Sequence, residues 1–169
     1  MRKIIYFVAT SLDGYIASKD GSVDWLFTEG DYGTTAFMKT IDTIFMGRKT
    51  YEQAVGFGLE YFKGKKIYVF TKSKKLKATN GCEIINEDAI SFTKKIIRRK
   101  GKNIWLMGGS ELASSFQRKY LIDEYNLFIH PIILGNGIPL FKDLPKLSNL
   151  RLKSYKKFDS GLVRINYSK

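Results

Sequence analysis

Ile44-Phe45-Met46-Gly47-Arg48-Lys49-Thr50-Tyr51-Glu52 passes without a break from apolar residues to a glycine, and then to basic and hydroxyl-bearing ones. A buried strand that ends where a helix or turn begins leaves such a pattern. It recurs at Val69-Phe70-Thr71-Lys72-Ser73 and at Leu106-Met107-Gly108-Gly109-Ser110-Glu111-Leu112. In open α/β sheets, ligands bind beyond the carboxyl ends of the strands, where free backbone amides and the positive end of a helix dipole meet an anion. Taken singly, Gly47 reads as a turn residue, Thr50 as a helix cap, and Gly108-Gly109 as close packing of a helix on its strand. Taken together, the junctions match a ligand with several phosphates spread along one sheet edge.

A dinucleotide has a pyrophosphate, and NADP a further 2′-phosphate. After the second and third strands no acidic residue stands where it would favour a free ribose 2′-hydroxyl, whereas Arg48, Lys49, Lys72 and Ser73 favour a phosphate. The expected cofactor is therefore NADPH rather than NADH. At Gly108-Gly109 the missing Cβ atoms would let it approach the backbone directly.

Strand-length apolar runs recur at Ile4 to Ala9, Thr43 to Met46, Ile67 to Phe70, Cys82 to Ile85, Ile104 to Met107 and Tyr125 to His130. Their alternation with helical patterns predicts a largely parallel, buried sheet. The clearest helix is predicted over Glu87 to Arg99, with acidic residues first, basic residues last and Gly101 as the stop. A second is predicted from Ser110, as its N-cap, through Leu112, Ala113, Phe116 and Tyr120. Asp123 to Pro131 and Arg151 to Tyr167 read as strands, with Leu134 to Pro139 turn-rich between them and Asp159-Ser160-Gly161 as a hairpin turn. The expectation is one α/β domain over residues 1–169, with no linker inside it.

Composition narrows the chemistry. A chain of 169 residues, 44% hydrophobic with 12 Phe and 10 Tyr, is long enough to bury a core. The run Ile4 to Ala9 is too short for an export signal or a membrane span, and the lone Cys82 cannot form an internal disulfide, so the expected location is the cytoplasm. With one Cys and one His, His130, there is no zinc cluster, and no metal is expected. Cys82 reads as a small strand or loop residue and His130 as a strand residue before Pro131. Hydride transfer needs neither, because a nicotinamide supplies the reacting atom. The net charge of +13 is mostly scattered lysine, with no nucleic-acid motif and no regular stacking aromatics. It reads as a solvated basic surface that steers anions to a cleft.

Met46 to Glu52 is similar to the MGRxTxE signature of dihydrofolate reductases, and Gly108-Gly109 resembles their glycine pair, whose peptide bond is cis. Ser11-Leu12-Asp13-Gly14-Tyr15-Ile16-Ala17, Leu121 to Glu124 with Pro131, and Leu134 to Phe141 resemble the reductase domain of bifunctional riboflavin-biosynthesis deaminase/reductases. The likeness to this dihydrofolate-reductase-like superfamily spans nearly the whole chain. It implies a three-layer α/β fold: a mixed, mostly parallel sheet of about eight strands, helices on both faces, and an antiparallel C-terminal hairpin. It also implies NADPH across the carboxyl edge, a small heterocyclic substrate and, often, a homodimer. Residue by residue, Ala9 and Ile16 would lie against the nicotinamide, Gly47, Arg48, Lys49 and Thr50 would hold phosphate, and Thr71, Lys72 and Ser73 the 2′-phosphate end. Gly108, Gly109, Ser110, Glu111 and Leu112 would hold the pyrophosphate. Trp25 would sit on a mobile loop over the substrate, with Phe37 nearby.

Departures bear on the substrate. Dihydrofolate reductases place a carboxylate on the helix before the MGR strand, here near Thr34 to Ile41, and no acidic residue falls clearly on it. Asp31 and Glu29, just upstream, are the candidates for a catalytic acid. Asp13 reads either as a substrate-side group or as the side chain that holds the turn before Gly14. The favoured expectation is a reductase resembling 5-amino-6-(5-phosphoribosylamino)uracil reductase, without the deaminase half. A genuine dihydrofolate reductase, or a non-catalytic nucleotide or nucleic-acid binding protein, are the alternatives.

Overall fold

The computed structural model describes residues 1–79 and 81–169. In β1 (Ile4–Thr10), alternate side chains point to opposite faces, yet Ile4, Ile5 and Tyr6 are all buried. The same holds in β3 (Ile41–Gly47), β4 (Lys66–Phe70) and β6 (Asn103–Gly108), so these strands are covered on both sides. With β5 (Cys82–Ile85), β7 (Glu124–Ile129), β9 (Arg151–Lys157) and β10 (Val163–Ser168) they form one sheet in the order β5-β4-β3-β6-β1-β7-β10-β9. The pairs from β5 to β7 are parallel, and β10 and β9 are antiparallel additions.

One face of the sheet presents Tyr6, Phe45, Phe70 and Leu106 to Phe92 and Ile96 of α3 (Ala89–Ile96) and to Phe116 of α4 (Ser110–Arg118). The other presents Ile5, Met46, Val69 and Trp105 to Phe37 of α1 (Thr34–Thr40) and to Tyr51 and Ala54 of α2 (Arg48–Phe57). This is the three-layer arrangement expected, with the antiparallel hairpin at the end of the chain. A short pair formed by β2 (Tyr15–Ala17) and β8 (Ile138–Pro139) lies apart from the main sheet.

Several element boundaries differ from expectation, each for a local reason. The helix predicted over Glu87 to Arg99 occupies only Ala89–Ile96. Asp88 is its N-cap, accepting from the Ser91 amide at 2.8 Å. At the other end the Ile97 carbonyl accepts from the Arg2 amide, which ties the chain to β1 and leaves Arg98, Arg99 and Lys100 outside the helix. Gly109, not Ser110, is the N-cap of α4, so Ser110 is its first residue. That helix stops before Tyr120. The Leu121 and Tyr120 amides turn back to the Phe116 and Gln117 carbonyls with Tyr120 at φ 53°, a Schellman closure without glycine. The strand predicted to reach Pro131 ends at Ile129. Among the described residues no helix is long and apolar enough to cross a membrane, and no cluster of His, Cys, Asp and Glu could hold a metal ion.

Candidate active site

Because β4, β3, β6 and β1 are parallel neighbours, their carboxyl ends share one edge of the sheet. Gly47 is opposite Phe70, and Met46 is opposite Gly108, so the three predicted junctions stand side by side. From two of them a helix departs. Neither α2 nor α4 has a side chain capping its first turn, whereas Asp88 caps α3. The free amides at the starts of α2 and α4 therefore face the sheet edge; α4 carries Glu111 in its first turn, and α2 adds the exposed cations Lys49 and Arg48, the latter paired with Glu52 at 2.8 Å.

Glycine eases this convergence at Gly109, where a Cβ would lie a tight 3.3 Å from Thr50 Oγ1, whereas a Cβ on Gly47 would make an ordinary 3.5 Å contact with the Gly109 amide nitrogen. At Gly108, with φ 123°, a Cβ would meet nothing within 4 Å, so the backbone there borders open space. The Gly108-Gly109 peptide is cis, as the resemblance implied. Ser110 is 3% exposed, and its hydroxyl oxygen has no hydrogen-bond partner. A buried, orphaned hydroxyl at an uncapped helix start fits a bound phosphate oxygen, and NADPH would supply one. Glu111 in the same turn is exposed and paired with Lys142 at 3.4 Å.

The third junction has no helix. The Ser73 amide donates to Thr71 Oγ1 at 3.0 Å, and Asn86 Nδ2 donates to the Thr71 and Ser73 carbonyls at 2.8 and 3.1 Å. Asn86 thus fixes the turn that carries Lys72, although nothing in its local sequence marks it for that task. Tyr51, on α2, similarly holds Thr79 through its hydroxyl. Cys82 is half-buried beside it, and burial pushes its thiol pKa up.

At the end of β1, Ala9 is opposite Phe128 of β7, and Phe7 packs on the Phe128 ring at 4.6 Å. Phe37 stacks on Phe7 at 3.9 Å and meets Trp105 edge-on, so it is part of the floor beneath this region. Ile16 lies on β2, apart from the main sheet. Over the β7 end runs the segment bearing Trp25 and Phe27, whose rings both pack on His130. His130 is buried. It accepts from the Phe27 amide at Nε2 (3.3 Å) while Nδ1 faces the Phe128 carbonyl (3.1 Å), which requires the proton on Nδ1. Burial lowers its pKa and keeps the ring neutral. The Trp25 indole N–H is buried without a partner.

The acids behave differently. Asp31 Oδ1 accepts from the Thr35 amide at 3.1 Å and the Gly33 amide at 2.9 Å. The Thr35 amide first, and then others, hold its pKa below the usual carboxylate value. It is ionised and tied to the start of α1. Asp13 accepts from Ser11 Oγ at 2.6 Å and from the Leu134 and Gly135 amides at 3.1 and 2.8 Å, and these bonds lower its pKa, Ser11 foremost. It joins the turn before Gly14 to the Leu134–Gly135 loop, the turn-holding reading. The structure brings Gly47, Arg48, Thr50, Thr71, Gly108 and Ser110 to one edge, with Ala9 on the next strand, and sets Asp31 and Asp13 at loop junctions.

The strand order and the paired helix starts at the carboxyl edge define a dihydrofolate-reductase-like α/β protein. A dihydrofolate reductase from Enterococcus faecalis complexed with NADP(H) shares this fold with a TM-score of 0.73, at 16% identity over 98% of this chain and 95% of that one. Within that class the chain belongs to the RibD C-terminal domain family, a reductase-like family whose profile matches residues 62–164. It is 41% identical to YwjB of Bacillus subtilis, an uncharacterised protein, over 98% of this chain and 97% of the relative. A solved Shewanella sp. PV-4 protein, described as a riboflavin biosynthesis protein, is similar with a TM-score of 0.83 and 26% identity, covering 99% and 98% of the two chains.

Proposed function

We propose that this protein is an NADPH-dependent reductase of a small heterocyclic substrate, similar to 5-amino-6-(5-phosphoribosylamino)uracil reductase. The reading rests above all on two uncapped helix starts converging at neighbouring strand ends around the orphaned hydroxyl of Ser110. NADPH, when bound, supplies a hydride from its nicotinamide. Ser110 and the amides of Gly109, Glu111 and Leu112 would hold the pyrophosphate, with Gly47, Lys49 and Thr50 from the facing helix. Arg48, Thr71, Lys72 and Ser73 would take the 2′-phosphate end. Ala9 and Ile16 would border the nicotinamide, and Phe37 would support the substrate floor from beneath. Trp25 would cover the substrate, exclude water and offer its free indole N–H as a donor.

The dihydrofolate alternative requires a carboxylate free to face a pterin, and Asp31 is already engaged by backbone amides. A catalytic role for Asp31 would need those bonds to break. We place the activity in one domain over residues 1–169, in a reducing cytoplasm, with a second copy as the expected partner. The half-buried thiol of Cys82 accords with that compartment. Stopped-flow oxidation of NADPH with the ribosylaminopyrimidine substrate and with dihydrofolate tests the choice. Turnover of the first alone supports the proposal, and turnover of dihydrofolate alone, lost in Asp31→Asn, overturns it.

A further inference from the structure

Arg164 on β10 and Lys156 on β9 are directly opposite one another in the antiparallel ladder, so both project from one face of the sheet. Like charges so placed destabilise a sheet. Neither is in an ion pair with a carboxylate among the described residues. Arg164 is half-buried, and its one side-chain hydrogen bond among the described residues runs from Nη1 to the Tyr32 carbonyl at 3.3 Å. It is seated there by an absence: a Cβ on Gly33 would come within 2.3 Å of Nη1. Lys156 Nζ stands 4.8 Å from the Phe158 ring centroid, and Phe158 meets Tyr32 edge-on at 5.0 Å. The two cations thus stand on opposed positions of one face, Lys156 over an aromatic ring, with no carboxylate in an ion pair with either among the described residues.

Their place in the sheet suggests what does. Ala9, Phe128, Arg164 and Lys156 are successive partners across β1, β7, β10 and β9, forming one row on one face. With strands about 4.8 Å apart, Arg164 lies about 10 Å and Lys156 about 14 Å from Ala9. A cleft of about 290 Å³ is lined by Leu26, Phe27, Thr28, Glu29, Tyr32 and Ser160, and it is joined to the row through the bond from Arg164 to the Tyr32 carbonyl, with neither cation in its lining. Glu29 is the one carboxylate among those lining residues and is in no ion pair with either cation.

We propose that Arg164 and Lys156 form an oxyanion subsite, which takes a phosphate or carboxylate that the substrate carries about two strands from its reacting carbon. The assignment rests on the reductase reading, in which the hydride acceptor lies over Ala9 and Phe128. The guanidinium offers paired donors to an oxyanion, and the ammonium adds a point charge. Substrates lacking an anionic tail are then selected against by the unneutralised pair.

Ribose 5-phosphate, ribose and glutarate, titrated calorimetrically into protein saturated with NADP+, test this, because the dinucleotide keeps the probes off the strand-end amides. Ribose 5-phosphate or glutarate should bind, the tighter of the two identifying the oxyanion, and ribose should not. Lys156→Glu, on a fully exposed strand, should weaken the bound anion about tenfold or more, and Arg164→Gln likewise. Both should leave NADPH affinity within about twofold. Failure of both anions to bind, equal binding of ribose, or unchanged anion affinity in Lys156→Glu overturns the subsite. If NADP+ itself does not bind, the reductase reading falls, while the same titrations on the free protein still score the two cations.

Discussion

Ser110 shows what a single residue can and cannot disclose. Its place after Gly108-Gly109 marked it as a helix cap, but the backbone gives that position to Gly109 and leaves the hydroxyl buried and unpartnered. Since a buried hydroxyl without a partner costs stability, Ser110→Ala should fold at least as stably, within about 1 kcal/mol by denaturant titration, yet bind NADPH about tenfold more weakly. A purely structural role would move the first quantity and spare the second. His130 was legible only as a strand residue before proline, because its Nε2 partner, the Phe27 amide, is 103 positions away. Burial depresses its pKa, so as pH falls the unfolded chain takes up the proton before the folded one. Stability should be full above about pH 6.5 and decline below it until the folded-state ring also titrates. Melting curves between pH 7 and pH 5 should show that slope in the wild type and not in His130→Phe. Trp25 fluorescence of the folded protein should stay constant through that decline and change only at the lower pH where the folded ring titrates, since a protonated Nε2 cannot accept from Phe27.

Among the elements, strands were the most legible, because their apolar runs have sharp ends and the central ones, β1, β3, β4 and β6, are buried on both faces. The run Cys82 to Ile85 coincides with β5, and Thr43 to Met46 lies within β3. Helix ends were less so. The dipole-favouring residues 98–100 after α3 suggested a longer helix, but the Arg99 amide turns back to the Ile96 carbonyl and the Arg2 amide takes the Ile97 carbonyl, where the helix ends. The β2–β8 pair was hidden in a stretch read as turns, since Ile138-Pro139 is too short to show a period. Gly137 makes that pairing possible: a Cβ there would come within 2.3 Å of the Ala17 carbonyl and 3.2 Å of the Tyr15 side chain. Gly137→Ala should therefore destabilise the protein by about 1–3 kcal/mol, measured as a shift of the urea midpoint, and weaken the tie between Asp13 and the Leu134–Gly135 loop.

For the molecule as a whole, the sheet order does what no single motif could. It carries Thr71, Gly47 and Gly108, far apart in the sequence, to three neighbouring strand ends. The recurrence of strand-end junctions made this edge foreseeable, whereas the supports beneath it, Asn86 and Tyr51, were not, because their partners lie in other segments. The oxyanion pair was equally hidden: Arg164 and Lys156 become neighbours only through the register of the last hairpin. The net charge of +13 should act over the same surface. NADPH association should slow and weaken as ionic strength rises from about 0.01 M to 0.15 M, while the variants at Lys156 should change that dependence little. Fluorescence titration with NADPH and with NADH, on the wild type and on Arg48→Ala, tests dinucleotide binding at this edge most directly. NADPH should bind about tenfold or more tightly than NADH, and Arg48→Ala should erase most of that preference while leaving NADH nearly unaffected. Binding of neither dinucleotide, or a preference indifferent to Arg48, would contradict it.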